Sequence, residues 1–147
     1  MQRQPIINFI SFLLIFLFVY TAISKLMDIH AFEALLKAMP GIQSYAGFIA
    51  FAIPVAELMT AILLLLPGTR ETGFLCSAFL LLCFTLFLLY MLVTASQLPC
   101  SCGGVISSMN WQQHIGFNLF FIVLSVLAFY YQHTGKNMTI NQTSLLQ

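Results

Sequence analysis

Four long stretches of the chain carry almost only apolar side chains, and short polar segments separate them. They run from about 6 to 23, 45 to 66, 73 to 95 and 113 to 131. Coiled as helices at about 1.5 Å per residue, such stretches cover the roughly 30 Å hydrocarbon layer of a bilayer. None has the period-two alternation of an outer-membrane strand. The pattern predicts an all-α integral membrane protein, a four-helix transmembrane bundle in which residues 1–147 form one membrane domain. Ala22 and Ser24 have the small-x-small spacing of a signal-peptide cleavage site. The first apolar run is longer than a usual signal core, however, and only Arg3 precedes it, so it reads as a retained span.

The segments between the spans have patterns of their own. Between residues 24 and 44, Ile29, Phe32, Leu35, Leu36 and Met39 recur at helical spacing, with Asp28, Glu33 and Lys37 between them. This predicts a short amphipathic helix lying in the membrane interface, capped near Asp28 and stopped by Met39-Pro40-Gly41. Glu33 and Lys37 form an i,i+4 pair on it. Residues 67–71 read as a tight turn, and Asn110 with Gln113 resembles a capping box opening the last helix. Trp111 and Tyr130-Tyr131 mark the two membrane interfaces. Beyond them a polar, flexible tail is expected over residues 132–147.

Composition narrows the class further. Of 147 residues, 61% are hydrophobic and only 6% charged, a surface too apolar for a soluble enzyme or a disordered chain. The net charge is +1, with no cluster of Lys or Arg, so nucleic acid has no electrostatic foothold. Orientation follows the distribution of positive charge in short loops. Arg3, Arg70 and Lys136 fall on one side, Lys25 and Lys37 on the other, and the loop carrying Cys100 and Cys102 has none. The expected topology is N-in and C-in, with the cysteine loop on the outer, oxidising face. The sequons at Asn137 and Asn141 then lie inside and idle.

The loop Pro99-Cys100-Ser101-Cys102-Gly103-Gly104 is the richest in chemistry. Two thiols one residue apart, followed by glycines that free the backbone, suit reversible thiol–disulfide exchange, because a disulfide closed over so short a loop is strained and reducible. Cys100 and Cys102 are therefore the candidate reactive residues. A static cross-link is one alternative. A metal site completed by His114 and His30 is another, although this spacing matches no familiar zinc module, and no resident metal is expected. His114 can also support a nearby thiolate. Cys76 and Cys83, seven residues apart in the third span, read as small packing residues. Glu57 is the only ionisable residue deep within a span, where a carboxylate must be paired or protonated. Lys25, at the end of the first span, is its expected partner, with an interfacial Lys25–Asp28 pair as the alternative. Pro54 frees a carbonyl one turn before Glu57.

Three motifs, in order, resemble a known group. Residues 22–28 (AISKLMD) resemble the ending of the first helix in DoxX-like membrane proteins. Residues 53–58 (IPVAEL) and the loop Cys100-Ser101-Cys102-Gly103-Gly104 resemble features of the methylamine utilisation protein MauE family. Ala22 replaces a usual glycine, and Gly103 a frequent aromatic residue. The resemblance, covering roughly residues 10 to 130, implies a small helical bundle of the bacterial inner membrane, linked to methylamine dehydrogenase maturation. It further implies electron exchange with a periplasmic thioredoxin-fold partner through Cys100 and Cys102. The four-helix plan also resembles vitamin K epoxide reductase and quinone-linked disulfide oxidases, which use C-x-x-C pairs absent here. A quinone bound near Glu57 among aromatic side chains is the candidate membrane-side carrier. A non-enzymatic assembly factor and a small transporter or metal-handling protein centred on Glu57 are the competing readings, and self-association stays open.

Overall fold

The computed structural model describes residues 3–94 and 111–144, and all of its regular structure is helical. Helix α1 spans Arg3–Met27, α2 Ile29–Lys37, α3 Ala46–Leu65, α4 Arg70–Thr94 and α5 Trp111–Ser144, with a single 3-10 turn at Gln43–Tyr45 before α3. Four helical segments of 23 or 24 residues, the second comprising the 3-10 turn and α3, are long and apolar enough to cross a membrane. The chain is thus an all-helical, multi-pass membrane protein. Helix α1 packs mainly on α3 and α4 mainly on α5, while α3–α4 and α1–α5 contacts close the ring.

The polar residues of these helices are accommodated by their own backbone. Ser77, Thr85 and Ser125 are buried and donate to the carbonyls of Gly73, Leu81 and Phe121, one turn back, at 2.7–2.8 Å. A hydroxyl satisfied in this way can sit in an apolar interior without a partner helix. The interior itself is built from Leu14, Phe18, Leu64, Phe74, Leu81 and Phe121 with their neighbours. Large side chains on the outside, such as Phe9, Phe12, Phe16, Phe48 and Phe79, are exposed, as a bilayer-facing surface requires.

The end bearing the α3–α4 turn is tied by side chains. Arg70 Nε–H donates to Leu64 O at 3.2 Å and its Nη1–H to Asn8 Oδ1 at 2.8 Å, while the Thr69 hydroxyl donates to Leu63 O at 3.0 Å. Together they satisfy carbonyls that α3 leaves open at its C-terminus and fix α1 beside the turn. Helix α4 consequently starts at Arg70, three residues before its apolar run. At the same end His133 Nδ1 faces Glu71 Oε1, and the Thr134 hydroxyl donates to Tyr130 O. Helix α5 continues to Ser144 rather than stopping near Tyr131. Hydropathy marks the end of an apolar run, and the polar contacts of His133 and Thr134 hold the helix past that point.

At the opposite end α2 covers the bundle. Phe32, Leu35 and Leu36 are buried, and with Met39, Ala46, Ala50 and Met91 they form a second core. This apolar face is the one expected from the spacing, and burying each such side chain is worth about 1.5–3 kcal/mol relative to water. Asp28 occupies the N-cap position without making a side-chain cap bond. Lys37 Nζ lies 2.8 Å from Glu33 Oε1, and this neighbour holds the Glu33 carboxyl below the usual carboxylate range. Because Met91, near the end of α4, belongs to this core, the chain leaves α4 for segment 95–110 at the α2-covered end.

Candidate functional site

Side chains on a helix lean toward its N-terminus, and residues four apart share a face. Lys25 near the end of α1 therefore reaches back toward the level of Thr21, and both meet Glu57 from α3. Lys25 Nζ lies 2.8 Å from Glu57 Oε1, and the Thr21 hydroxyl donates to the same oxygen at 3.0 Å. Lys25 is 6% and Glu57 1% exposed, so this is a fully buried ion pair. It forms in place of an interfacial Lys25–Asp28 pair. The ammonium also sits 4.8 Å from the centre of the Phe84 ring and 6.0 Å from that of Phe32, in cation–π range of both. Glu57 Oε2 is buried and accepts no hydrogen bond from the described residues.

Pro54 is buried inside α3, one turn before Glu57, and α3 runs through it unbroken. With no N–H to give to the carbonyl four residues back, Pro54 leaves one fewer backbone bond in the turn leading to Glu57.

The ion pair borders a cavity of about 220 Å³ where the two cores meet. Lys25, Glu57, His114, Asn118, Cys83 and Phe84 all line it. His114 and Asn118 are one turn apart on α5 and buried, at 7% and 5% exposure. The sequence points to His114 only as a metal-ligand alternative or thiolate support beside the cysteine loop, and gives Asn118 no role. Their i,i+4 spacing was the available sign that they share a face. Thr21 is one turn before Lys25 and carried the same sign. Cys83 departs from its expected packing role: it is exposed and borders the cavity, whereas Cys76 is half-buried. Both are free thiols.

Cys100 and Cys102 lie outside the described residues, as does Asn110 of the expected capping box. Helix α4 ends and α5 begins at the α2-covered end, the end at which Lys25, Phe32 and His114 approach the cavity. Among the described residues, the structure brings together Glu57, Lys25 and His114.

Buried opposite charges joined across two spans, with a cavity beside them, mark this as the candidate functional site. No curated protein and no solved structure matches the chain. The profile of the family described as methylamine utilisation protein MauE, by contrast, matches residues 3–131, from the first turn of α1 into α5 and across every residue of this site. Four membrane helices, the buried pair and this match agree: the chain belongs to the MauE family.

Proposed function

We propose that the protein is a thiol–disulfide redox protein of the bacterial inner membrane. On this reading Cys100 and Cys102 exchange electrons with a periplasmic thioredoxin-fold partner, and the pathway served is the methylamine utilisation named by the family. The chain sits N-in and C-in, with segment 95–110 on the periplasmic side. A membrane quinone takes up or supplies the electrons. The observation that carries the reading is the buried Lys25–Glu57 pair beside a cavity at the end where α4 and α5 join the cysteine segment. A dithiol there has a membrane-embedded polar site within the same end of the bundle.

In the oxidising direction a partner thiolate attacks the Cys100–Cys102 disulfide and forms a mixed disulfide. The partner's second thiol then displaces it, leaving the partner oxidised and Cys100 and Cys102 reduced. Two electrons and two protons pass to the quinone, which leaves as hydroquinone while the Cys100–Cys102 disulfide reforms. The reducing direction runs the same steps backward.

Trapping tests the reading. In Cys100→Ser and Cys102→Ser variants expressed with a thioredoxin-fold protein lacking its resolving cysteine, one variant should accumulate a mixed disulfide that dithiothreitol dissolves. Absence of any such adduct in both variants, with the protein present in the membrane, contradicts thiol exchange and leaves an assembly role.

A further inference from the structure

The cavity beside Lys25 and Glu57 has unmet polar groups in an otherwise apolar wall. Lys25 gives one N–H bond to Glu57, and among the described residues its other two N–H groups meet only the rings of Phe84 and Phe32. Asn118 is 5% exposed, lines the cavity, and its side-chain amide makes no hydrogen bond to the described residues. The Asn118 amide N–H groups and the Lys25 ammonium are donors that a ligand in the cavity can use. The two donors approach from different helices, α1 and α5.

The rest of the cavity defines what the ligand is. Phe18, Phe32, Phe84, Phe87 and Phe117 contribute flat apolar walls. The volume of about 220 Å³ exceeds the roughly 150 Å³ of an apolar cavity that holds one benzene ring, so a single substituted ring fits. Lys25 and Glu57 together carry no net charge, which leaves no excess positive field for a fatty-acid carboxylate or a phosphate. Cys83 lies both on the cavity wall and on the exposed surface of α4, so the cavity reaches the lipid-facing side of the bundle. The matching chemistry is a flat, uncharged, lipid-soluble ring with acceptor oxygens on it.

We infer that this cavity binds the ring of a lipid-soluble quinone, with Lys25 and Asn118 donating hydrogen bonds to its carbonyl oxygens and Cys83 at the lipid-facing opening. The choice of a quinone among such rings rests on the proposed redox function. Lys25 and Asn118 are positioning residues, and Cys83 reports occupancy.

The test uses the full chain in nanodiscs, as the variant Cys76→Ser/Cys100→Ser/Cys102→Ser, in which Cys83 is the only thiol. The probe is decylubiquinone, whose fully substituted ring does not alkylate thiols, and the control is decylbenzene, which lacks carbonyls. Decylubiquinone should slow alkylation of Cys83 by N-ethylmaleimide at least fivefold and saturably, and decylbenzene should not. Asn118→Leu, which keeps the side-chain size and leaves the ion pair intact, should raise the half-protecting concentration at least tenfold. An unchanged alkylation rate at saturating quinone overturns the inference, as does equal protection by decylbenzene or undiminished protection in Asn118→Leu. Because the assay protein lacks both loop cysteines, binding is read apart from exchange. Protection alongside inactive exchange overturns the proposed function and leaves the site standing. Active exchange without protection overturns the site alone.

Discussion

Glu57 and Lys25 show how one residue pair can organise a membrane bundle. A lone charge at this depth costs at least about 2.5–3.5 kcal/mol, so each makes the other tolerable. Removing one partner leaves the other buried and uncompensated, at a cost of about 3–5 kcal/mol. Lys25→Met and Glu57→Leu should each destabilise the protein by that order in detergent unfolding. The double variant should recover most of the loss, since a well-packed apolar replacement of a buried pair is often neutral or better. Additive losses in the cycle would show that the two side chains act independently. Much of this pair was legible in the sequence, because one ionisable residue in a span demands a partner and Lys25 was the nearest cation on that side. Thr21 and Asn118 were not singled out: a threonine or asparagine in a membrane helix is ordinarily satisfied by its own backbone, and only the packing of the helices shows that Thr21 also reaches Glu57 and that Asn118 lines the cavity.

Among the elements, the close approach of α3 and α4 depends on a missing side chain. A Cβ at Gly73 would lie 2.9 Å from Leu64 N and 3.0 Å from two Leu64 side-chain atoms, whereas one at Gly68 in the turn would meet nothing within 4 Å. Gly73→Ala should therefore separate the helices and lower stability by about 1–3 kcal/mol, the usual cost of overpacking. Gly68→Ala should be close to neutral, and thermal unfolding of the two variants side by side checks the contrast. Gly41 serves differently: its φ of +97° lets the chain turn after α2 in a conformation that other residues seldom adopt. The amphipathic α2 and the four spans were readable from spacing and apolar length alone. The start of α4 at Arg70 and the continuation of α5 past Tyr131 were not, since Arg70 and His133 make polar contacts with elements distant in sequence. A scan for apolar runs has no access to Arg70 meeting Asn8, or His133 meeting Glu71.

At the scale of the whole molecule, the two ends of the bundle differ. One is fastened by Arg70, Thr69 and the Glu71–His133 contact, with its carbonyls capped. The other is covered by α2 over a cavity with a buried ion pair, and here the chain enters and leaves the cysteine segment. On the proposed reading, the fastened end holds the bundle and the chemistry takes place at the other. Cys83 was misjudged from sequence because a cysteine's exposure depends on which helix faces the lipid, and hydropathy is the same on both sides of an apolar helix. The central claim, a redox-active thiol pair on the outer face, is tested most directly by alkylating intact cells with a membrane-impermeant maleimide. The protein used carries Cys76→Ala and Cys83→Ala, leaving only Cys100 and Cys102. The account predicts that the pair resists labelling when oxidised, takes up two labels from outside after mild reduction, and becomes resistant again when oxidant is restored. Two thiols that remain reduced under oxidant and unlabelled from outside would contradict both the topology and the exchange chemistry.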